Sequence, residues 1–133
     1  MSPFSTLLVD DNTTFLGILK NFLKERQWED LVDVVGTATN GEDALEKAAV
    51  LKPQVVLLDL VMPGLSGLQV LPRMKTLLPQ TKIIVLTLLD SPDYSQAALA
   101  AGADFFVAKE NLDADLRPIF AKLRQNGSLG HCD

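Results

Sequence analysis

Three acidic residues stand directly after apolar runs. Asp10 and Asp11 follow Leu7-Leu8-Val9, and Asp59 follows Val55-Val56-Leu57-Leu58. Thr87 holds the same place after Ile83-Ile84-Val85-Leu86, and Lys109 after Phe105-Phe106-Val107-Ala108. If these runs are strands of a parallel sheet, all five side chains gather at its carboxyl edge, where open α/β sheets bind ligands. Carboxylates brought together there repel one another. At about 4 Å and an effective dielectric near 20, one pair costs roughly 4 kcal/mol. A hard cation, a shifted proton affinity, or both must relieve that repulsion. Oxygen-only ligands at a partly hydrated edge suit Mg²⁺ better than zinc or copper. A cation held there draws in phosphate oxygens, Lys109 adds a second positive group, and Thr87 offers a hydroxyl donor. The chemistry these residues assemble is phosphoryl transfer to a carboxylate, with Asp59 as the nucleophile.

Each residue taken singly also has an ordinary structural role. Asp10 or Asp11 would serve as a helix cap, and Asp59, ahead of Met62-Pro63-Gly64, as a turn residue. Thr87 would be a β-branched strand residue, and Lys109 a solvated loop charge. Their conjunction, in this order and at matching strand ends, outweighs the separate explanations.

The elements that must position them follow from periodicity. The apolar runs Thr6–Val9, Leu31–Val35, Val55–Leu60, Lys82–Leu86 and Phe105–Val107 read as strands buried on both faces. Between them Phe15, Leu19, Phe22 and Leu23 recur at helical spacing, as do Ala44, Leu45, Ala48 and Ala49, and later Ala97, Ala98 and Ala101. Asn40-Gly41 opens the second helix, Ser66 and Gln69 have capping-box spacing, and Gly102 can end the fourth helix. Pro72 and Pro118 fall inside the third and last helices, which predicts a kink or a shifted start. The fold class expected is α/β, a single doubly wound (βα)5 domain. The domain is expected over residues 1–125, with 126–133 as a tail or the start of a linker, since Asn126-Gly127-Ser128-Leu129-Gly130 is linker-like in composition.

Composition excludes several classes. With 133 residues the chain fits one domain, and 47% hydrophobic against 22% charged residues makes it globular rather than disordered. A net charge of -5 argues against direct nucleic-acid binding. No apolar run reaches the roughly 20 residues of a membrane span. The single Cys132 fits a reducing, cytoplasmic setting. His131, the sole histidine, lies beside it in what reads as a frayed tail, so zinc sites and histidine catalysis are not expected.

The motif set resembles the receiver domain of two-component response regulators, over about residues 6–123. The segments that carry the likeness are Leu8-Val9-Asp10-Asp11-Asn12, Leu58-Asp59-Leu60-Val61-Met62-Pro63-Gly64-Leu65-Ser66-Gly67, Val85-Leu86-Thr87 and Gly102-Ala103-Asp104-Phe105-Phe106-Val107-Ala108-Lys109. Receivers joined to helix-turn-helix output domains are the nearest in character. The resemblance implies a flavodoxin-like sheet in strand order 2-1-3-4-5. It also implies that Asp59 accepts a phosphoryl group from a sensor histidine kinase or phosphotransfer protein. Asp11, Asp59 and the backbone carbonyl of Val61 would bind Mg²⁺, with Asp10 acting through the metal's water shell. Thr87 and Lys109 would contact phosphoryl oxygens, and Phe106 would be the aromatic that changes rotamer. The output surface would be the fourth helix, fifth strand and fifth helix, facing a downstream effector or output domain, with a homodimer on phosphorylation as a further expectation.

The chain departs from the family pattern in places. Leu88 follows the threonine where a small residue is common. Glu110 replaces the proline that often follows the lysine, so a cis peptide is not assumed. Phe106 lacks a hydroxyl, so its switching would rest on packing. Val61 and Leu89 occupy the positions that in the family flank the path of hydrolytic water, and both are apolar here. The leading reading is a phosphorylation-gated binding module, not a turnover enzyme. A phosphorylation-independent docking receiver is the alternative that Leu88 keeps open. A phosphatase of the haloacid-dehalogenase kind, with Asp10, Asn12 and Thr14 at alternating places, is disfavoured because Asn12 stands where a second acid is needed.

Overall fold

Apolar residues at successive positions are what a strand needs when helices cover both faces of its sheet. The computed structural model covers residues 3–25, 28, 30–62, 64–88 and 92–131, with the backbone alone for 92, 94, 113 and 126–131. Strands β1 (Phe4–Val9), β2 (Val32–Ala38), β3 (Val55–Asp59), β4 (Lys82–Thr87) and β5 (Phe105–Ala108) make one parallel sheet, in the order β2-β1-β3-β4-β5. Helices α1 (Thr13–Leu23), α2 (Gly41–Leu51), α3 (Gly67–Leu77), α4 (Pro92–Ala101) and α5 (Leu112–His131) follow the strands in turn. A 3-10 turn, Lys109–Asn111, leads into α5. This is the doubly wound arrangement that the sequence pattern predicts, in the flavodoxin-like order that the receiver resemblance implies.

The period of two within each strand divides the core into two layers. Leu7, Val9, Val56, Leu58, Ile83 and Val85 pack against Ala44 and Ala48 of α2, Val70, Leu71 and Met74 of α3, and Ala98 of α4. Their neighbours Leu8, Val55, Leu57, Ile84 and Leu86 belong to the opposite layer, with Leu16, Leu19 and Leu23 of α1 and Leu116, Phe120 and Leu123 of α5. Trp28 is buried in that second layer, its ring 5.3 Å from Phe22 and 6.2 Å from Phe120.

Local chemistry sets the helix ends. Asn40 Oδ1 accepts the Asp43 amide at 2.8 Å and caps α2. Ser66 and Gln69 form a reciprocal capping box at the start of α3. Gly102, at φ +119°, supplies the positive backbone angle that ends α4. Pro72 and Pro118 lie inside α3 and α5, and neither shifts a helix start, because both helices run continuously across them. The α5 backbone also continues through Asn126–Gly130, the segment with linker-like composition.

Strands β1 and β2 extend beyond their apolar runs for a common reason, while β3 ends at Asp59, one residue short of its run. β1 begins at Phe4, which pairs with Val32, and β2 runs on to Ala38 because Gly36 and Thr37 pair with Leu7 and Leu8. Backbone pairing carries a strand through residues whose side chains carry no apolar signal. A register shift between Thr6 and Leu7 accompanies this extension. No helix among the described residues is long and apolar enough to cross a membrane.

Candidate functional site

The sheet order places the polar strand ends side by side. β1 and β3 are neighbours with Val9 opposite Leu58, so the residues that follow, Asp10 and Asp59, emerge together. Asp59 lies opposite Leu86, one residue before Thr87, and Thr87 lies opposite Ala108, one before Lys109. A carboxylate oxygen from each of Asp10, Asp11 and Asp59 lies within 4.8 Å of the others. Asp10 and Asp59 are 2% and 6% exposed, while Asp11 faces solvent.

Lys109 reaches into this cluster from the end of β5. Its Nζ donates to Asp10 Oδ2 at 2.6 Å and lies 3.6 Å from Asp59 Oδ2. Burial, foremost, and then the Asp10 charge push the Asp59 carboxyl up to about 6 from 3.8, with Asp11 adding to the rise. The Lys109 ammonium and the Val61 amide, which donates to Asp59 Oδ1 at 3.3 Å, pull the other way. One lysine thus leaves the cluster short of positive charge. Three carboxylates, one of them open to water, are a donor set that fits a hard divalent cation. Mg²⁺, which keeps several of its waters, matches that set.

The ordinary explanation for the paired acids does not hold. Asn12, and neither aspartate, caps α1, its Oδ1 accepting the Phe15 amide at 3.0 Å. Asp10 Oδ1 in turn accepts the Asn12 amide at 2.9 Å, which locks the turn out of β1. Asn12 is therefore engaged as a cap. Behind Asp59, Gly67 packs so closely that a Cβ there would lie 2.4 Å from the Asp59 carbonyl oxygen and 2.6 Å from Leu60 Cα.

The remaining candidates sit around this centre. Thr87 is 1% exposed at the end of β4. Phe106 is half-buried against the layer formed with α2, α3 and α4. Val61 and Leu88 are 54% and 78% exposed, so both apolar side chains stand out into solvent beside the acids. Leu89 lies outside the described residues, as does Cys132. Glu110 is exposed in the 3-10 turn, and no peptide bond among the described residues is cis. Two contributors escaped the sequence reading, the cap Asn12 and Phe15, whose ring centre lies 4.2 Å from Lys109 Nζ. Phe15 shows in the sequence only as one apolar position of a helical period. Nothing there signals a partner at the far end of the chain.

The profile of the response regulator receiver domain matches residues 6–121. The chain belongs to that family. Over 127 residues it is 31% identical to the response regulator protein VraR of Staphylococcus saprophyticus, a match covering 96% of this chain and 59% of that relative. Among solved structures it is similar to the signal receiver domain of the response regulator NarL from Mycobacterium tuberculosis, with 30% identity and a TM-score of 0.77 over 98% of this chain and 99% of that one. It is also similar to the isolated REC domain of RcsB from Salmonella enterica serovar Typhimurium, in the presence of the phosphomimetic BeF3-, at 26% identity and a TM-score of 0.81, covering 93% and 90% of the two chains. These relatives agree with the likeness to receivers of regulators that carry output domains.

Proposed function

We propose that the protein is a phosphorylation-gated signalling module in which Asp59 accepts a phosphoryl group from a phosphohistidine on a sensor histidine kinase or phosphotransfer protein. The observation that carries this reading is the buried Asp59 carboxylate, clustered with those of Asp10 and Asp11 and 3.6 Å from the Lys109 ammonium. In the transfer an Asp59 oxygen bonds to phosphorus as the phosphorus–nitrogen bond breaks, and the departing imidazole keeps the electron pair and takes up a proton. Lys109 then exchanges part of its contact with Asp10 for a phosphoryl oxygen, and the Thr87 hydroxyl donates to another. Asp11, Asp59 and the Val61 carbonyl would hold Mg²⁺, with Asp10 holding it through water. Its chemistry is to neutralise the charge that develops on the transferring group.

Movement of Thr87 and repacking of Phe106 pass the change to the surface of α4, β5 and α5, where a downstream effector or output domain reads it. That the relative RcsB domain was solved with a phosphomimetic supports the same chemistry here. The reading makes the chain a cytoplasmic receiver over residues 1–125, with 126–133 leading on as tail or linker. It promotes its own phosphoryl transfer without turning over a substrate, and with its net charge of -5 it does not itself grip nucleic acid. Intact-mass analysis after incubation with acetyl phosphate and Mg²⁺, beside Asp59→Asn and a metal-free control, tests it. The expected result is one phosphoryl adduct that needs both Asp59 and Mg²⁺. A folded protein that takes no adduct from acetyl phosphate or from a histidine kinase overturns the proposal in favour of a phosphorylation-independent docking module.

A further inference from the structure

Lys109 carries its charge on a flexible four-carbon stem with freely rotating donors, so something besides its partners must aim it. Asp10 holds the ammonium at 2.6 Å, but that contact has to loosen if Lys109 is to serve a group on Asp59, 3.6 Å away. The ammonium also lies over the aromatic ring of Phe15, with the ring centre 4.2 Å from Nζ, inside the range where the ring quadrupole attracts a cation. The Lys109 side chain is only 9% exposed, so water screens this attraction little.

Phe15 is itself fixed by the same turn that carries the acids. Its amide donates to Asn12 Oδ1, the Asn12 amide donates to Asp10 Oδ1, and Asp10 Oδ2 accepts from Lys109. With the ring facing Lys109, the contacts close into a circuit that runs Asp10, Asn12, Phe15, Lys109 and back to Asp10. Only the Asp10 arm of this circuit competes with a phosphoryl oxygen for the ammonium. A π face cannot compete in that way. It accepts no strong hydrogen bond and leaves the donors to rotate from one oxygen to the next.

We propose that Phe15 is a positioning residue for Lys109, a cation–π rest that keeps the ammonium aimed at the Asp59 carboxylate while its hydrogen bond passes from Asp10 to the phosphoryl group. This inference rests on the phosphoacceptor reading of Asp59. Two substitutions separate the ring's electronic role from its volume. Phe15→Leu keeps an apolar side chain and removes the π face, and Phe15→Tyr keeps the face.

The experiment pairs acetyl phosphate kinetics, followed by intact mass with saturating Mg²⁺, with the NMR shifts of the Lys109 side-chain protons. Those protons should be moved upfield by the ring current in the wild type and in Phe15→Tyr, and should return to ordinary positions in Phe15→Leu. Phe15→Leu should phosphorylate about 3- to 10-fold more slowly at saturating acetyl phosphate, with little change in the half-saturating concentration, and Phe15→Tyr should restore the rate. The inference is overturned if the wild-type Lys109 protons show no ring-current shift. It also fails if folded Phe15→Leu matches the wild-type rate, or if Phe15→Tyr is as slow as Phe15→Leu, since that would make the effect one of packing. A wild type that shows the shifted Lys109 protons yet takes no phosphoryl group from either acetyl phosphate or a histidine kinase would instead defeat the phosphoacceptor reading, and the role of Phe15 with it.

Discussion

Ionising Asp59 works against the metal-free fold. Its carboxyl is raised to about 6 from 3.8, chiefly by burial and next by the Asp10 charge. Between those two values the folded protein holds a proton that the unfolded chain has released, so stability falls as pH rises through the window. Below the window both states are protonated. Above it the loss is constant at roughly 1–3 kcal/mol. Asp59→Asn should therefore melt at a higher temperature than wild type in EDTA near neutral pH, with the gap closing as the pH is lowered towards 4. Thermal unfolding across that pH range checks this, and a variant that melts below wild type at neutral pH contradicts it. At the same scale, if Val61 and Leu89 flank the path of hydrolytic water as the receiver resemblance implies, they offer no polar group to orient it. The Asp59 phosphoryl group should accordingly persist well beyond seconds after the donor is removed, and Leu89→Glu should shorten its life by about 10-fold. Decay followed by intact mass reads both; a wild-type half-life of seconds, unchanged in Leu89→Glu, would contradict the idea.

Elements differ in how firmly they are held. α3 buries Val70, Leu71 and Met74, and α1 buries Leu16, Leu19 and Leu23, whereas Ala98 is the sole fully buried side chain among those described on α4. A helix with so little apolar anchorage shifts at low cost, which suits it to the switching surface proposed above. The start of α3 is the opposite case. Gly67 lets that helix approach the Asp59 carbonyl, and the Cβ of Gly67→Ala would meet backbone that has no rotamer to yield. Gly67→Ala should cost about 2–3 kcal/mol and lower Tm by roughly 8–12 °C, measurable by circular dichroism. The caps at Asn40 and Ser66 and the stop at Gly102 were legible in the sequence because each rests on a local contact or a backbone angle peculiar to its residue type. The first helix misled that logic. Asp10, Asp11 and Asn12 all have cap chemistry, and only the fold shows Asn12 taking the role while Asp10 turns towards Lys109. Strand ends at Phe4 and Ala38 were hidden for a different reason, since they are fixed by pairing across the sheet.

At the scale of the whole molecule, the strand order concentrates charge at one edge. Four strand ends deliver the acids, Thr87 and Lys109 there, while the rest of the sheet is closed in apolar layers on both sides. The placement of Asp10, Asp59, Thr87 and Lys109 was readable because each ends an apolar run. The Phe15–Lys109 contact was not, because it joins a helix to a strand end across the fold. A cation that binds the folded edge and not the unfolded chain must stabilise the whole by mass action, by about 2.7 kcal/mol at a hundredfold excess over its Kd. Mg²⁺ should thus raise the wild-type Tm, and raise that of Asp59→Asn less. Equal gains in both proteins would place the ion elsewhere.

The layered core also gives the molecule a one-sided optical gauge. Trp28 is the only tryptophan in the chain, and it is 1% exposed among Phe22 and Phe120 in the layer shared by α1 and α5. The layer beneath α2, α3 and α4 contains no indole. Native emission, without any added dye, therefore reports loosening on the first side of the sheet and is blind to the second. Set beside far-ultraviolet dichroism, which sees every helix, the same denaturation would show whether the two halves of this sandwich let go together or one before the other.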